Sequence, residues 1–324
     1  MPDADDTAGA LLALANLRQR GLHREDPGVG CTNFSFGRNE APTESPTSPR
    51  PKLKFVHPTP SCATDSGEGH APGFPGADET ASVLAGVRWL VDLQNRDGGW
   101  PTFCRGWGKL PFDRSGADLT AHVLRAFLAS RPVSEQSRDA VHCGSMPLPP
   151  VTRAITRGIQ YLQTCQRSDG SWVPLWFGNQ HVPNDENPTF GTARVLLAYR
   201  DLDLLNSSQA RRGLAWLGGA QNPDGGWGGA AGTPSTVEET ALAVEALANP
   251  TDDASALEAQ RRGVGWLLQR IENGEWKKPS PIGLYFAKLW YFEKLYPQIF
   301  TVAALGRARR VLAPQWFPTS AHAH

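Results

Sequence analysis

The chain has 324 residues, enough for one large domain or two small ones with a sizeable core. Lys+Arg and Asp+Glu both number 32, so the formal net charge is zero, and the basic residues cluster only as pairs such as Arg211-Arg212 and Arg261-Arg262, which excludes the basic stripe of a nucleic-acid binder. No apolar run reaches the roughly 18 residues of a membrane span. The opening Met-Pro-Asp-Ala-Asp-Asp is acidic and unlike a signal peptide. Five widely spaced Cys (Cys31, Cys62, Cys104, Cys143, Cys165) form no CxxC pair and no Cys/His ligand spacing, so neither zinc nor a disulfide framework is expected, and a reducing cytoplasm fits best.

Taken in chain order, residues 1–21 predict a helix with Asp3, Asp5 and Asp6 at its start, where acidic side chains cap and meet the helix dipole. Residues 22–76 are rich in Pro, Gly, Ser and Thr and cannot bury enough apolar surface to fold, so an inserted flexible loop is expected. Residues 77–313 carry a repeat, seen four times. Its first copy runs Gly86-Val87-Arg88-Trp89-Leu90, then Gln94, then Asp97-Gly98-Gly99-Trp100. The second has Tyr161, Gln166 and Trp172, and the third Trp216, Gln221 and Trp227. The fourth has Trp266 and Trp276, is one residue shorter, and holds Ile271 where Gln is expected.

Each copy reads as a helix stopped by an Asp-Gly turn. The Gln at the helix end can bond orphan carbonyls of the last turn, and the Trp beyond the turn can fold back to stack on it, a clasp tying each turn to the next helix. A second helix follows each clasp and opens on a Thr-Ala step: Asp118-Leu119-Thr120-Ala121-His122, Gly191-Thr192-Ala193 and Glu239-Thr240-Ala241, with Asp6-Thr7-Ala8 matching them near the start. The small apolar faces of these helices suit a crowded inner ring, and the Gln/Trp helices an outer ring. Residues 132–150 predict a second, shorter Pro-rich loop, and residues 314–324 a loose tail.

These features resemble one family. The clasps are similar to the QW motif of triterpene cyclases, and Pro2-Asp3-Ala4-Asp5-Asp6-Thr7-Ala8 resembles the DxDD motif of squalene-hopene cyclases. Asp118–Leu124 and the run Tyr285–Pro297 resemble further stretches of that family, so that the likeness covers residues 1–21 and 77–312. The resemblance implies an all-α fold, an α/α toroid of inner and outer helices of α6/α6 type. About ten helices are expected here, roughly five pairs, where the family's domain closes with six. It implies that the chain is the C-terminal half of a cyclase that protonates a terminal alkene of squalene, or a similar polyprene, and guides carbocation ring closure. No cofactor or metal is implied. The implied partners are the isoprenoid lipid and a membrane surface on its cytoplasmic side. The inserted second barrel is absent, so an N-terminal-half subunit or a second copy of the chain is a further possible partner.

By the same resemblance Asp5 is the proton donor, supported by Asp3, Asp6, Asp118 and His122, and Phe103, Trp176, Tyr285 and Phe292 are cavity aromatics. Gln94–Trp100, Gln166–Trp172, Gln221–Trp227 and Trp276 are structural. The chemistry fits these residue types. An alkene is a very weak base, so its donor must be a protonated carboxylic acid. Clustered carboxylates keep one proton among them because they cannot all ionise together. A neighbouring His⁺ stabilises the carboxylate left behind. Aromatic faces stabilise the cations that follow, by about 2 kcal/mol each when desolvated. Two departures bear on the product: Leu289 stands where hopene-forming enzymes have an aromatic, and residues 173–190 replace a shorter loop with Pro183-Asn184-Asp185-Glu186-Asn187-Pro188.

Other readings compete. An acidic trio at a helix start is by itself an N-cap, a lone His is a satisfied core histidine, and an aromatic run at 285–292 is more often core than cavity. Class II diterpene cyclases also use DxDD on a related barrel. A prenyltransferase β-like subunit would need an Asp/Cys/His zinc site, for which no plausible positions are found. A non-catalytic α/α-barrel interaction module would leave Asp5 without a role.

Overall fold

The computed structural model describes residues 3–22, 77–106, 110–130, 148–249, 253–284 and 289–316. Nearly all of the expected inserted loop, most of the shorter Pro-rich stretch, Tyr285 and Trp107 lie outside the described residues. The chain divides into two compact units, residues 1–16 with 75–324, and residues 17–74. In the second unit only the end of the first helix is described; the account below concerns the first.

Nine α-helices are described: α1 (Ala4–Leu22), α2 (Ala77–Leu93), α3 (Ala117–Ala129), α4 (Leu148–Thr164), α5 (Pro188–Asp201), α6 (Ser208–Gly219), α7 (Val237–Leu247), α8 (Ala254–Glu272) and α9 (Tyr296–Trp316). They form two layers. Helices α3, α5 and α7 are buried along almost their whole first turns, and each packs on the next, with α9 against α7. Helices α4, α6 and α8 back them one by one. Only stripes of these outer helices are buried, such as Ala210, Gly213 and Leu217 of α6, as a helix with one face in water requires. Helix α1 joins the inner layer through Ala4, Ala8 and Leu11, spaced along one face. The expected all-α, inner-and-outer architecture is what the structure has.

Two boundaries and one element differ from expectation. Pro149 and Pro150 sit in the first turn of α4 rather than in a loop, because that turn needs no N–H from them and accepts their fixed φ. Helix α9 runs to Trp316, three residues into the expected tail. The aromatic run forms an antiparallel hairpin, β1 (Pro281–Leu284) with β2 (Leu289–Phe292), pairing Pro281 with Phe292 and Ile282 with Tyr291.

The clasps explain the repeat. In the first three copies the Trp ring N–H donates back to its own outer helix, to the carbonyls of Leu90, Leu162 and Leu217, at 2.7–2.8 Å. The Gln side chain is fixed by hydrogen bonds. Its Nε2 bonds the turn carbonyl four residues on and a carbonyl near the start of the next outer helix, of Ala154, Gln209 and Ala259 respectively. The Trp backbone N–H is received by the Thr of each Thr-Ala step: Thr120, Thr192 and Thr240. The turn glycines Gly98, Gly170 and Gly225 have φ of 94°, 99° and 91°, which non-glycine residues rarely adopt. The Arg-Gly pairs seal the joint. Arg157 donates to the carbonyls of Asn95 and Arg96, while a Cβ on Gly158 would meet the ring of Trp100 at 2.8 Å. The fourth copy lacks this geometry: without the Gln, Trp276 is half-buried under Lys277, with 5.5 Å from Nζ to the ring centroid.

Candidate active site

The acid residues gather where α1 meets α3. Asp3 caps α1, its Oδ1 accepting the Asp6 N–H at 2.6 Å. This seats Asp5 one residue inside the helix, and its Oδ1 lies 2.6 Å from His122 Nδ1 on α3. The two residues are 117 positions apart in sequence. Small residues allow the approach: a Cβ added at Gly9 would already touch the His122 ring, at 3.8 Å. The side chains are 44 % exposed for Asp5 and 16 % for His122, so the pair stands at the edge of the packed layer. Asp118, one helical turn before His122, is only 6 % exposed and accepts the Leu175 N–H at 3.1 Å. The Asp6 side chain is exposed, and its backbone N–H is what Asp3 accepts.

The carboxyls are held in different states. Burial drives Asp118 up to about 6, with the charge of Asp5 adding to the effect and the Leu175 N–H opposing it. Burial also pushes Asp5 upward, but the His122 hydrogen bond and charge, with the Arg194 guanidinium, outweigh it and hold Asp5 below its ordinary value. Asp3 is raised by burial and by the neighbouring Asp6 and Asp5 charges. The carboxyl that most readily keeps a proton is therefore Asp118, whereas Asp5 faces a cation that stabilises its anion.

Of the expected aromatics, Trp176 is tied to this corner. Its ring N–H donates to Thr102 Oγ1 at 2.6 Å, and the Thr102 carbonyl accepts the Ala4 N–H at 2.8 Å, next to Asp5. Phe103 follows Thr102 and is partly exposed. Phe292, on β2, is 61 % exposed, and Leu289 beside it is also exposed, so these positions of the aromatic run are not core. Tyr285 lies outside the described residues. Thr102 and Arg194 were not foreseen. Arg194 sits in α5, in the turn after the Thr-Ala step, with its guanidinium over the Phe190 and Phe300 rings at 5.2 and 5.3 Å. Nothing in a motif of Asp, His and Trp marks either residue, since both act through tertiary contacts. Among the described residues no group of three His, Cys, Asp or Glu could hold a metal ion.

A proton held by a partly buried carboxyl cluster, with a cation beside the anion left behind, suits delivery to a weak base. The open, aromatic-edged corner suits an apolar one.

The chain is similar to known proteins over most of its length. The chain is 28% identical to enfumafungin synthase of Hormonema carpetanum over 249 residues, 67% of this chain and 17% of that protein. It is 28% identical to the probable squalene–hopene cyclase of Sinorhizobium fredii over 276 residues, 77% of this chain and 38% of that protein. The chain thus spans well under half the length of these relatives. In fold it is similar to ent-copalyl diphosphate synthase from Streptomyces platensis, with a TM-score of 0.52 at 21% identity over 74% of this chain and 42% of that one. Residues 78–310 match the squalene-hopene cyclase C-terminal domain family, to which this chain belongs.

Proposed function

We propose that this chain supplies the acid half of a polyprene cyclase: Asp5 gives a proton to a terminal alkene of squalene or a similar polyprene, and the carbocation formed closes the rings. The observation that carries the reading is the 2.6 Å contact of Asp5 with His122, two inner helices apart in sequence and adjacent in space, above the buried Asp118. Protonated His122 and Arg194 stabilise the Asp5 carboxylate as the proton leaves, and Asp118 and Asp3 hold the proton that replaces it. Trp176 and Phe103 edge the site, with Tyr285 and Phe292 as further aromatic positions, and the Gln–Trp clasps hold the inner helices in register.

The lipid reaches the site from a membrane surface, at the inner face of a cytoplasmic membrane. No described helix is long and apolar enough to cross one. Exposed Leu295, Ile299 and Val302, one face of the start of α9, with Leu289 and Phe292, fit either that surface or the second half of a cyclase cavity. The second half would come from an N-terminal-half subunit or a second copy of this chain.

The test is incubation of the full chain with squalene, alone and with an N-terminal cyclase half added, with products read by mass spectrometry. Cyclised triterpene that disappears with Asp5→Asn supports the reading. No cyclised product under either condition overturns it, and a cyclised diphosphate from a C20 substrate would assign the chain to class II diterpene chemistry instead.

A further inference from the structure

Two carboxylates outside the acid site are buried more deeply than any member of it. Glu238 and Glu239, in the first turn of α7, are 5 % and 4 % exposed. Every oxygen they carry is engaged by a protein donor. Glu239 Oε1 accepts from Asn179 Nδ2 at 3.1 Å and Asn187 Nδ2 at 3.0 Å, and Oε2 accepts from the Thr236 hydroxyl. Glu238 accepts both the N–H of Ser280, at 2.8 Å, and its hydroxyl, at 2.6 Å. Burial of a carboxylate is unfavourable by several kcal/mol, so such a pair persists through what it joins.

What it joins are two segments that face the site. Asn179 and Asn187 lie in the loop, residues 173–190, that by the resemblance drawn from the sequence replaces a shorter one. That loop holds Asn184 and Asp185 at φ of 60° and 58°, left-handed conformations that non-glycine residues keep only when their surroundings dictate them. It carries Trp176, bonded to Thr102 beside the acid corner, and Phe177, stacked on Phe190 with 4.4 Å between ring centroids. Ser280 opens the hairpin that carries Phe292 and leads into Tyr296, which lies 6.3 Å from Phe177, centroid to centroid. The Gly178 N–H bonds the Gly283 carbonyl at 3.2 Å and ties loop to hairpin directly.

We propose that Glu238 and Glu239 are positioning residues that lock loop 173–187 and hairpin 281–292 into one wall of the substrate site, and thereby set which polyprene length the site accepts. The inference rests on the polyprene reading of that site.

The test uses the full chain with squalene and geranylgeraniol as probes in detergent micelles, and amide hydrogen exchange of both segments. Glu239→Ala, which removes the acceptor of both Asn side chains and of the Thr236 hydroxyl, is expected to raise exchange in residues 173–187, 281–284 and 289–292 by at least about tenfold, the value of a single hydrogen bond to a charged group, while α3 and the three clasps keep theirs. The ratio of squalene to geranylgeraniol affinity changes by a similar factor. Glu239→Gln, which keeps an acceptor for both Asn side chains, restores both readouts. Asn179→Ala gives the same local change without touching the buried carboxylate and serves where the Glu239→Ala chain does not fold. Unchanged exchange in both segments, or loosened segments with an unchanged affinity ratio, overturns the positioning role and leaves the polyprene reading standing. An unaltered chain that binds neither probe overturns both.

Discussion

Replacing Asp118 with Asn is expected to stabilise the protein at neutral pH while abolishing the proposed proton delivery. The Asp118 carboxyl is buried at the start of α3 and held up to about 6, above its ordinary value of 3.8. A carboxyl raised in the folded state binds protons that the unfolded chain releases, so its contribution to stability is full below the unfolded value and is lost as pH rises through the folded value. Two units correspond to about 3 kcal/mol. Asn keeps an oxygen to accept the Leu175 N–H, which Asp118 accepts at 3.1 Å, and has no charge to desolvate. The measurement is urea unfolding of the two proteins, taken as the difference between them so that other titrating groups cancel. The variant's advantage should grow by roughly 2 kcal/mol between about pH 4 and about pH 8. A pH-independent difference would mean that the folded site does not hold Asp118 protonated, and the account of the acid cluster would fail with it.

Replacing His122 with Gln removes the bond and the charge that hold Asp5 down. Carbon-detected titration of the Asp5 carboxyl should then show a higher midpoint. Since a depressed carboxyl favours the folded state above its unfolded value and loses that contribution as pH falls, the variant should also show a shallower loss of stability in acid. Trp227→Phe leaves the Leu217 carbonyl, now bonded at 2.8 Å, without its donor, and chemical unfolding should report a loss of about 1–3 kcal/mol. Gly213→Ala should destabilise by about 1–3 kcal/mol despite alanine's better helix propensity, because its Cβ would meet the Trp172 ring at 2.7 Å; a rise in Tm would refute the close ring–backbone seat.

Much of the layered fold was legible in the chain. The spacing of Gln94 to Trp100, repeated at Gln166 to Trp172 and Gln221 to Trp227, marks each outer helix and turn, because a clasp is a local object built within one repeat. Its hydrogen bonds were less legible. The Gln side chains reach the next outer helix, as Gln94 reaches Ala154 60 residues away, and no local pattern states which carbonyl will be free there. The hairpin was missed because its aromatic run is short and its strands owe their form to pairing with each other, not to a periodic apolar face.

For the acid corner, it was the resemblance of Asp3–Asp6 and of Asp118–His122 to a known family's stretches that pointed to Asp5, Asp118 and His122, and the fold brings Asp5 and His122 within 2.6 Å. Only the tertiary structure decided that Asp118 is the carboxyl that keeps its proton to higher pH and Asp5 the one facing a cation. That division follows from burial and from His122 and Arg194, contributed by α3 and α5. Thr102 joins Trp176 to the start of α1, and Glu238 and Glu239 join a loop to a hairpin. Such residues leave no trace in spacing, because an ionisation state or a hydrogen bond depends on which surfaces folding brings together, and sequence position sets that only within a helix or a turn.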